Sequence, residues 1–350
     1  MAKSKYRFRW SAIAAAIAAL ALLLAGCGGN AEPGAQAEAA SGGQAEKTET
    51  YKLKIADILT NPVFRVAKSK GFFEKYGIDA ELVTFATPAE GINSLFIKQV
   101  DIAWGADFPV LNAVSKGDYS IIASTWATEN EKNAAQWKLF VRDGIESPAD
   151  LKGKKLSTLR GTFVSYLWDE YLTQNGVDPN EVEQIGQGGF DESYVALKQG
   201  DVDAAWVSGS NLSGKFEQLE GAHQLTDMSK TSVRIGGAII APNELVNGQG
   251  DVIKRFLQAV EESTAYAAAN PEETADILFK EVKQPKDATL KDLSTSNWQL
   301  SFSQASFDSL AKQKKYMVEK GIIQNDFDLN GKINLDAVKQ VVPDRVTYAK

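Results

Sequence analysis

The chain of 350 residues contains one cysteine, Cys27, and one histidine, His223. A lone cysteine cannot pair within its own chain, and a free thiol is a liability in an oxidising compartment. A disulfide scaffold is thereby excluded. Catalysis by a Ser–His or Cys–His pair would rest entirely on His223, whose setting, Glu-Gly-Ala-His-Gln-Leu-Thr, reads as the start of an ordinary strand. With so little imidazole and sulfur, a metal site would need all-oxygen ligation; none is expected, and no cofactor. Positive charge is scarce too. The 38 Lys and Arg against 45 Asp and Glu give a formal net charge of −7 without a basic block, which argues against a nucleic-acid partner. Nor does any apolar run reach the ~20 residues that a spanning helix needs.

The amino end is distinctive. Met1 to Arg9 carries four positive charges and no acid, and Ser11 to Leu24 is almost entirely Ala, Ile and Leu. A basic start, a short apolar run and small residues after it mark a secretory signal peptide. Leu24-Ala25-Gly26-Cys27 then resembles the bacterial lipobox, which implies cleavage before Cys27 and lipid attached to that cysteine. Loss of the four charges takes the mature chain to about −11. One acyl chain holds a membrane only weakly, so stable anchoring needs more than one. Residues 28–50 are rich in Gly, Ala, Glu and Gln and have no large apolar side chain, and such a stretch is expected to form a flexible tether.

From Tyr51 onward β-like runs alternate with helical ones. Leu53–Ile58, Ala80–Phe85, Ile102–Trp104 and Ile121–Trp126 read as strands. Pro62–Lys70, Pro88–Lys98 and Phe108–Lys116 read as helices, and this alternation predicts an α/β fold with parallel-type sheets flanked by helices. The pattern returns about a hundred residues later: Lys-Gln before Val100-Asp-Ile-Ala-Trp104 reappears before Val202-Asp-Ala-Ala-Trp206, and Gly77-Ile-Asp79 reappears as Gly176-Val-Asp178. Two α/β lobes of similar build follow. Trp137–Arg142 and Val233–Ala241 are the candidate crossings, making a two-strand hinge. The expected division is signal peptide 1–26, tether 27–50, lobe one from 51–143 and 233–350, and lobe two 144–232. After Pro242 the chain is strongly helical (Asp251–Ala268, Pro271–Lys280, Ser303–Lys320).

Lys68-Ser-Lys-Gly-Phe-Phe-Glu-Lys-Tyr-Gly77, Ser147-Pro-Ala-Asp-Leu-Lys-Gly-Lys-Lys155 followed by Gly161-Thr162, and Leu197-Lys-Gln-Gly-Asp-Val-Asp-Ala204 occur in order. This set resembles the signature of solute-binding proteins for sulfonates, taurine and nitrate. The resemblance implies a two-lobed periplasmic-binding-protein fold of type II, serving an ABC importer with permease and ATPase subunits as partners. It also implies a monomer, lipid-anchored on the extracytoplasmic face (the periplasmic side if there are two membranes), that binds a small solute and is no enzyme. The other readings are a pyrimidine-precursor binder or pyrimidine-synthesis enzyme of the same fold, or a lipid-tethered sensory protein. The enzyme relatives resemble a cysteine-rich, histidine-dependent pattern that this chain lacks.

In open parallel sheets, ligands lie beyond the carboxyl ends of strands. Four loops have that placement: Thr60-Asn61, Gly105-Ala106-Asp107, Gly161-Thr162 and Ser208-Gly209-Ser210. Helix-start N–H groups there, with Thr60, Thr162, Ser208 and Ser210 hydroxyls, suit an oxyanion, while each of these side chains is equally a plain helix cap. Trp104 and Trp206 are either apolar walls for the ligand or sheet-core packing. Arg160 and Arg234 are either anion partners or surface. Asp107 stands where relatives often carry a hydroxyl, so it caps a helix or holds a ligand amine, as a zwitterion such as taurine would supply. On this reading, replacing Thr162 or Asp107 weakens binding and spares thermal melting.

Overall fold

Tyr51-Lys-Leu-Lys-Ile alternates polar and apolar residues, and it forms strand β1 (Tyr51–Ile58), with Leu53 and Ile55 buried and Lys52 and Lys54 outward. The computed structural model describes residues 49–128 and 130–350. The leader, Cys27 and the tether up to residue 48 lie outside them. No helix among the described residues is long and apolar enough to cross a membrane.

Local chemistry sets the first helix. The Asn61 side chain accepts the Val63 N–H at 2.9 Å and Pro62 occupies the first helical position, starting α1 (Pro62–Ser69). A short turn of helix, α2 (Phe72–Lys75), leads to β2 (Ile78–Phe85), and Thr87-Pro88 opens α3 (Pro88–Phe96) by the same device. Next come β3 (Ile102–Ala106), α4 (Asp107–Lys116) and β4 (Tyr119–Ala127). Beyond α5 (Glu131–Ala134) the chain builds β5 (Trp137–Arg142), β6 (Lys155–Leu159), α6 (Val164–Gln174), β7 (Glu183–Gln187), α7 (Phe190–Gln199), β8 (Ala204–Ser208), α8 (Ser210–Glu217) and β9 (Ala222–Asp227). It returns through β10 (Gly236–Pro242) to α9 (Asn243–Gly248), α10 (Gly250–Ala269), α11 (Pro271–Val282), α12 (Lys286–Thr295), β11 (Trp298–Ser301), α13 (Gln304–Glu319) and α14 (Asp336–Val341).

These strands make two sheets of matching order, β2-β1-β3-β10-β4-β11 and β7-β6-β8-β5-β9. In each, the first three strands are parallel, as the alternation of strands and helices implies. The fourth comes from the far side of a crossing and runs antiparallel to its neighbours, so the sheets are mixed. β5 is bonded into the second sheet although it precedes residue 143, and the chain crosses just ahead of it. The two crossing segments are tied to each other: Thr128 N–H donates to Ile235 O at 2.8 Å, and Ile235 N–H donates to Thr128 Oγ1 at 2.9 Å.

The repeated Val-Asp dipeptide has a physical job. Asp101 Oδ2 accepts the Lys54 N–H at 2.8 Å while its own N–H donates to Lys54 O at 2.8 Å. Asp203 does the same to Lys155, at 2.9 Å and 2.7 Å. Each pair clamps a central strand onto the strand beside it and fixes the register in which Ile55 faces Ile102 and Leu156 faces Ala204. Leu53, Ile102 and Phe256 belong to the same continuous buried cluster as Leu156, Trp168 and Trp206.

The returning strand fits only because it begins Gly236-Gly237. A Cβ on Gly237 would lie 2.4 Å from Trp104 Cζ2, well inside contact distance. The Trp104 ring is buried and held by its Nε1 on Thr125 Oγ1 at 2.8 Å, so it cannot swing aside freely. Gly237→Ala is therefore expected to destabilise the protein by ~1–3 kcal/mol, the usual cost of overpacking a closed core. Urea unfolding checks this; an unchanged midpoint would show that the indole moves.

Candidate functional site

Two loops that follow the parallel strands of the second sheet meet helices of the first half. Gly161, which follows β6 with φ +72°, lies so near α3 that a Cβ there would come 3.7 Å from Ala89 Cβ. Asp292 of α12, which packs on the first sheet's side against α11, bonds the first residue of α8. The loops after β6 and β8 thus each meet a helix of the other half, and the side chains of the four loops face different ways.

Asp107 turns inward. Its carboxylate is 3% exposed, and its Oδ2 accepts from the Gly236 N–H at 2.8 Å, Ser309 Oγ at 2.7 Å and Gln313 Nε2 at 2.7 Å. Burial pushes the carboxyl up to about 6, against the opposing pull of the Ser309, Gly236 and Gln313 donors. Its protein donors occupy it without a ligand amine.

The two matched tryptophans are packed. Trp104 lies 5.9 Å from the Trp298 ring, which in turn lies 6.3 Å from Trp126. Trp206 sits 5.7 Å from Trp168 and 5.5 Å from Tyr171, edge to face with both. Gly105 is a close-approach position, since a Cβ would meet Ile92 Cγ1 at 2.7 Å. Thr60 is exposed; Asn61 Oδ1 caps α1, while its buried Nδ2 has no hydrogen-bond partner among the described residues. Thr162 Oγ1 donates to Leu159 O at 2.8 Å, and Ser208 faces Trp137 across the β8–β5 ladder. Arg160 Nη1 donates to Gly186 O at 2.6 Å. Arg234 Nη1 serves Thr231 O and Val233 O at 2.9 and 2.7 Å.

Sequence reasoning passed over Trp137 and Thr158. Ser157 pairs with Ala205 and Trp137 with Ser208, so both residues stand on strands flanking the carboxyl end of β8. Trp137 Nε1 and Thr158 Oγ1 are buried without a hydrogen-bond partner among the described residues, and the Trp137 ring stands 4.7 Å from Phe163. A tryptophan opening the crossing strand was the available signal for the first; nothing local marked Thr158. His223 lies at the opposite end of the same sheet, paired with Val141 near Asp143 and Glu146 at 3.6 and 3.9 Å.

The family profile described as "NMT1/THI5 like" matches residues 62–274. A Brucella abortus protein, provisionally named a binding protein, is 28% identical over 237 residues, covering 66% of this chain and 71% of its own. The periplasmic aliphatic sulphonate binding protein SsuA from Escherichia coli superposes with a TM-score of 0.70 at 19% identity, over 81% of this chain and 92% of that one. A mutant of the desulfurization enzyme DSZB in complex with biphenyl-2-sulfinic acid gives 0.63 at 14% identity, over 84% and 99%. These structural likenesses are likenesses of fold, and the fold is the two-lobed α/β one that the sequence motifs imply.

Asp107 carries a testable signature. Removing its carboxylate leaves three donors unpaired, so Asp107→Ala is expected to cost ~1–3 kcal/mol, the reverse of the spared melting expected from sequence. The folded protein also holds this proton more tightly than the unfolded chain does. That stabilisation is complete below about pH 4 and is lost as the pH rises through about 6. Asp107→Asn should therefore flatten the change in Tm between about pH 4 and about pH 6, read by calorimetry; an unaltered slope would place the titration elsewhere.

Proposed function

The chain belongs to the NMT1/THI5-like family, and on that premise we propose that it is the solute-binding subunit of an ATP-driven importer, working outside the cytoplasm. The observation that carries this reading is the pair of matched sheets, each completed by a strand arriving from the other side of a bonded double crossing, with the loops after β6 and β8 meeting helices of the other half. Such a body closes by hinge motion, and a solute that touches both halves only when closed favours the closed form by those extra contacts. The named structural neighbours include a sulphonate binder, which supports a small solute bearing an oxyanion.

Within the seam, neutral donors rather than cations are offered to such a group. Thr158 Oγ1 and Trp137 Nε1 are buried with no hydrogen-bond partner among the described residues, and Ser208 and Thr162 stand beside the same strand ends; Asn61 Nδ2, after β1 in the first half, is a further buried donor of this kind. Hydroxyl and N–H donors in a dry site hold a sulfonate or carboxylate oxygen without an opposing charge. The ring of Phe163 against Trp137 supplies an apolar wall for the carbon part. Since Asp107 is engaged by protein donors, a solute amine is not required, and taurine has no advantage over a plain alkanesulfonate. An enzymatic role is disfavoured because His223 stands at the end of its sheet remote from these strand ends.

Lipid on Cys27 and the tether behind it would hold this receptor beside its permease and ATPase partners, raising its effective concentration there. Calorimetric titration of the full-length protein with ethanesulfonate, taurine and nitrate tests the solute class. Ethanesulfonate is expected to give saturable heat, with Thr158→Val weakening it about tenfold and leaving Tm in place. No heat from any of the three would overturn the oxyanion reading. A Cys27→Ser chain is expected to leave the membrane fraction on cell fractionation, and one that stays there would remove the lipid anchor from the account.

A further inference from the structure

Helix α12 is fastened at its two ends to different halves of the molecule. Its root follows α11, which rests on α1. There Arg65 of α1 lies 3.6 Å from Glu281 of α11 and 3.0 Å from Asp57 of β1, and donates to Thr84 of β2 at 3.0 Å, so three elements of the first body hold the end of α11. From that point the chain turns through Lys283, at φ +61°, and Pro285 into α12.

The far end is bonded to the other half, with two residues between it and β11 of the first sheet. Asp292 Oδ1 accepts the Ser210 N–H at 2.8 Å, at the first residue of α8. The Thr295 carbonyl accepts from Asn133 Nδ2 and from Gln136 Nε2 (2.8 Å), in the segment that leads into β5, and Ser296 Oγ donates to Gln136 Oε1 at 3.0 Å. A carboxylate at the start of a helix meets orphan N–H groups and the positive end of the helix dipole, so the Asp292 contact is of the stronger, charge-assisted kind. The loop before α8 is one of those from which an anionic solute would otherwise draw its N–H donors.

We propose that α12 is a latch that holds the two halves closed, with the chain's own Asp292 occupying the α8 end in place of a ligand anion. Opening the seam must break the Asp292–Ser210 bond and the Thr295 contacts together, because the root of α12 stays with the first sheet. The solute's oxyanion is consequently received at the β6 and β5 strand ends and not at α8.

Hydrogen exchange with mass spectrometry on the full-length chain, with no solute present, separates this from a local helix cap. In Asp292→Ala, exchange is expected to rise about tenfold both in residues 208–213 and in residues 133–136 and 295–298, while β1 and β6 stay as in the wild type. Ser210→Pro removes the same donor at a helix position that tolerates proline and is expected to give the same pattern. Lys291→Ala, one residue away on the exposed face, should match the wild type. Faster exchange confined to residues 208–213, or none, would overturn the latch. Because no solute enters the measurement, that result would leave the importer reading untouched.

Discussion

One buried carboxylate joins parts of this molecule that the chain separates widely. Asp107 begins the helix after β3, yet its Oδ2 is held by the first residue of the returning strand and by two side chains of α13, some two hundred residues further on. A carboxylate this deeply buried is costly unless its lone pairs are met, and here three donors meet them. Gly236 permits the approach, because a Cβ there would lie 3.1 Å from Asp107 Oδ1. The return of the chain to the first sheet, and with it the closure of the fold, depends on that meeting.

The same logic governs the two halves. Each sheet has a gap between its third parallel strand and its outer strand, and each gap is filled antiparallel by a strand that has crossed over. The duplicated aspartates, Asp101 and Asp203, lock the strands beside each gap, by bonding one residue's backbone at both its N–H and its carbonyl. A hinge built this way is covalently double and internally bonded through Thr128 and Ile235, which restricts the halves to rotation about one seam.

Electrostatically, the chain satisfies several of its own helix ends. Asn61 caps α1, Thr162 bonds the carbonyl of Leu159, and Asp292 sits on α8, so helix ends that would be general anion sites are taken by protein groups. The arginines nearest the strand ends bond backbone carbonyls. On the importer proposal, a solute is left with a small set of neutral buried donors, which favours selection by shape and hydrogen-bond geometry over attraction by charge.

The sequence by itself determined the elements and their repetition. Alternating strand and helix runs, the Asn61-Pro62 and Thr87-Pro88 caps, and the duplicated Val-Asp are local signals, and the α/β fold with two similar lobes follows from them. The strand carboxyl ends, and so the loops near a site, were legible for the same reason. Only tertiary structure decided where side chains point. Asp107 was ambiguous because its partners come from β10 and α13; Trp104 and Trp206 were placed in the core by packing against β4, β11 and α6. Asp292 carried no signal at all, since it lies 82 residues from Ser210 on a polar helix. Periodicity and capping act within a few residues along the chain, whereas the burial and pairing of a polar group depend on what the fold brings against it from elsewhere.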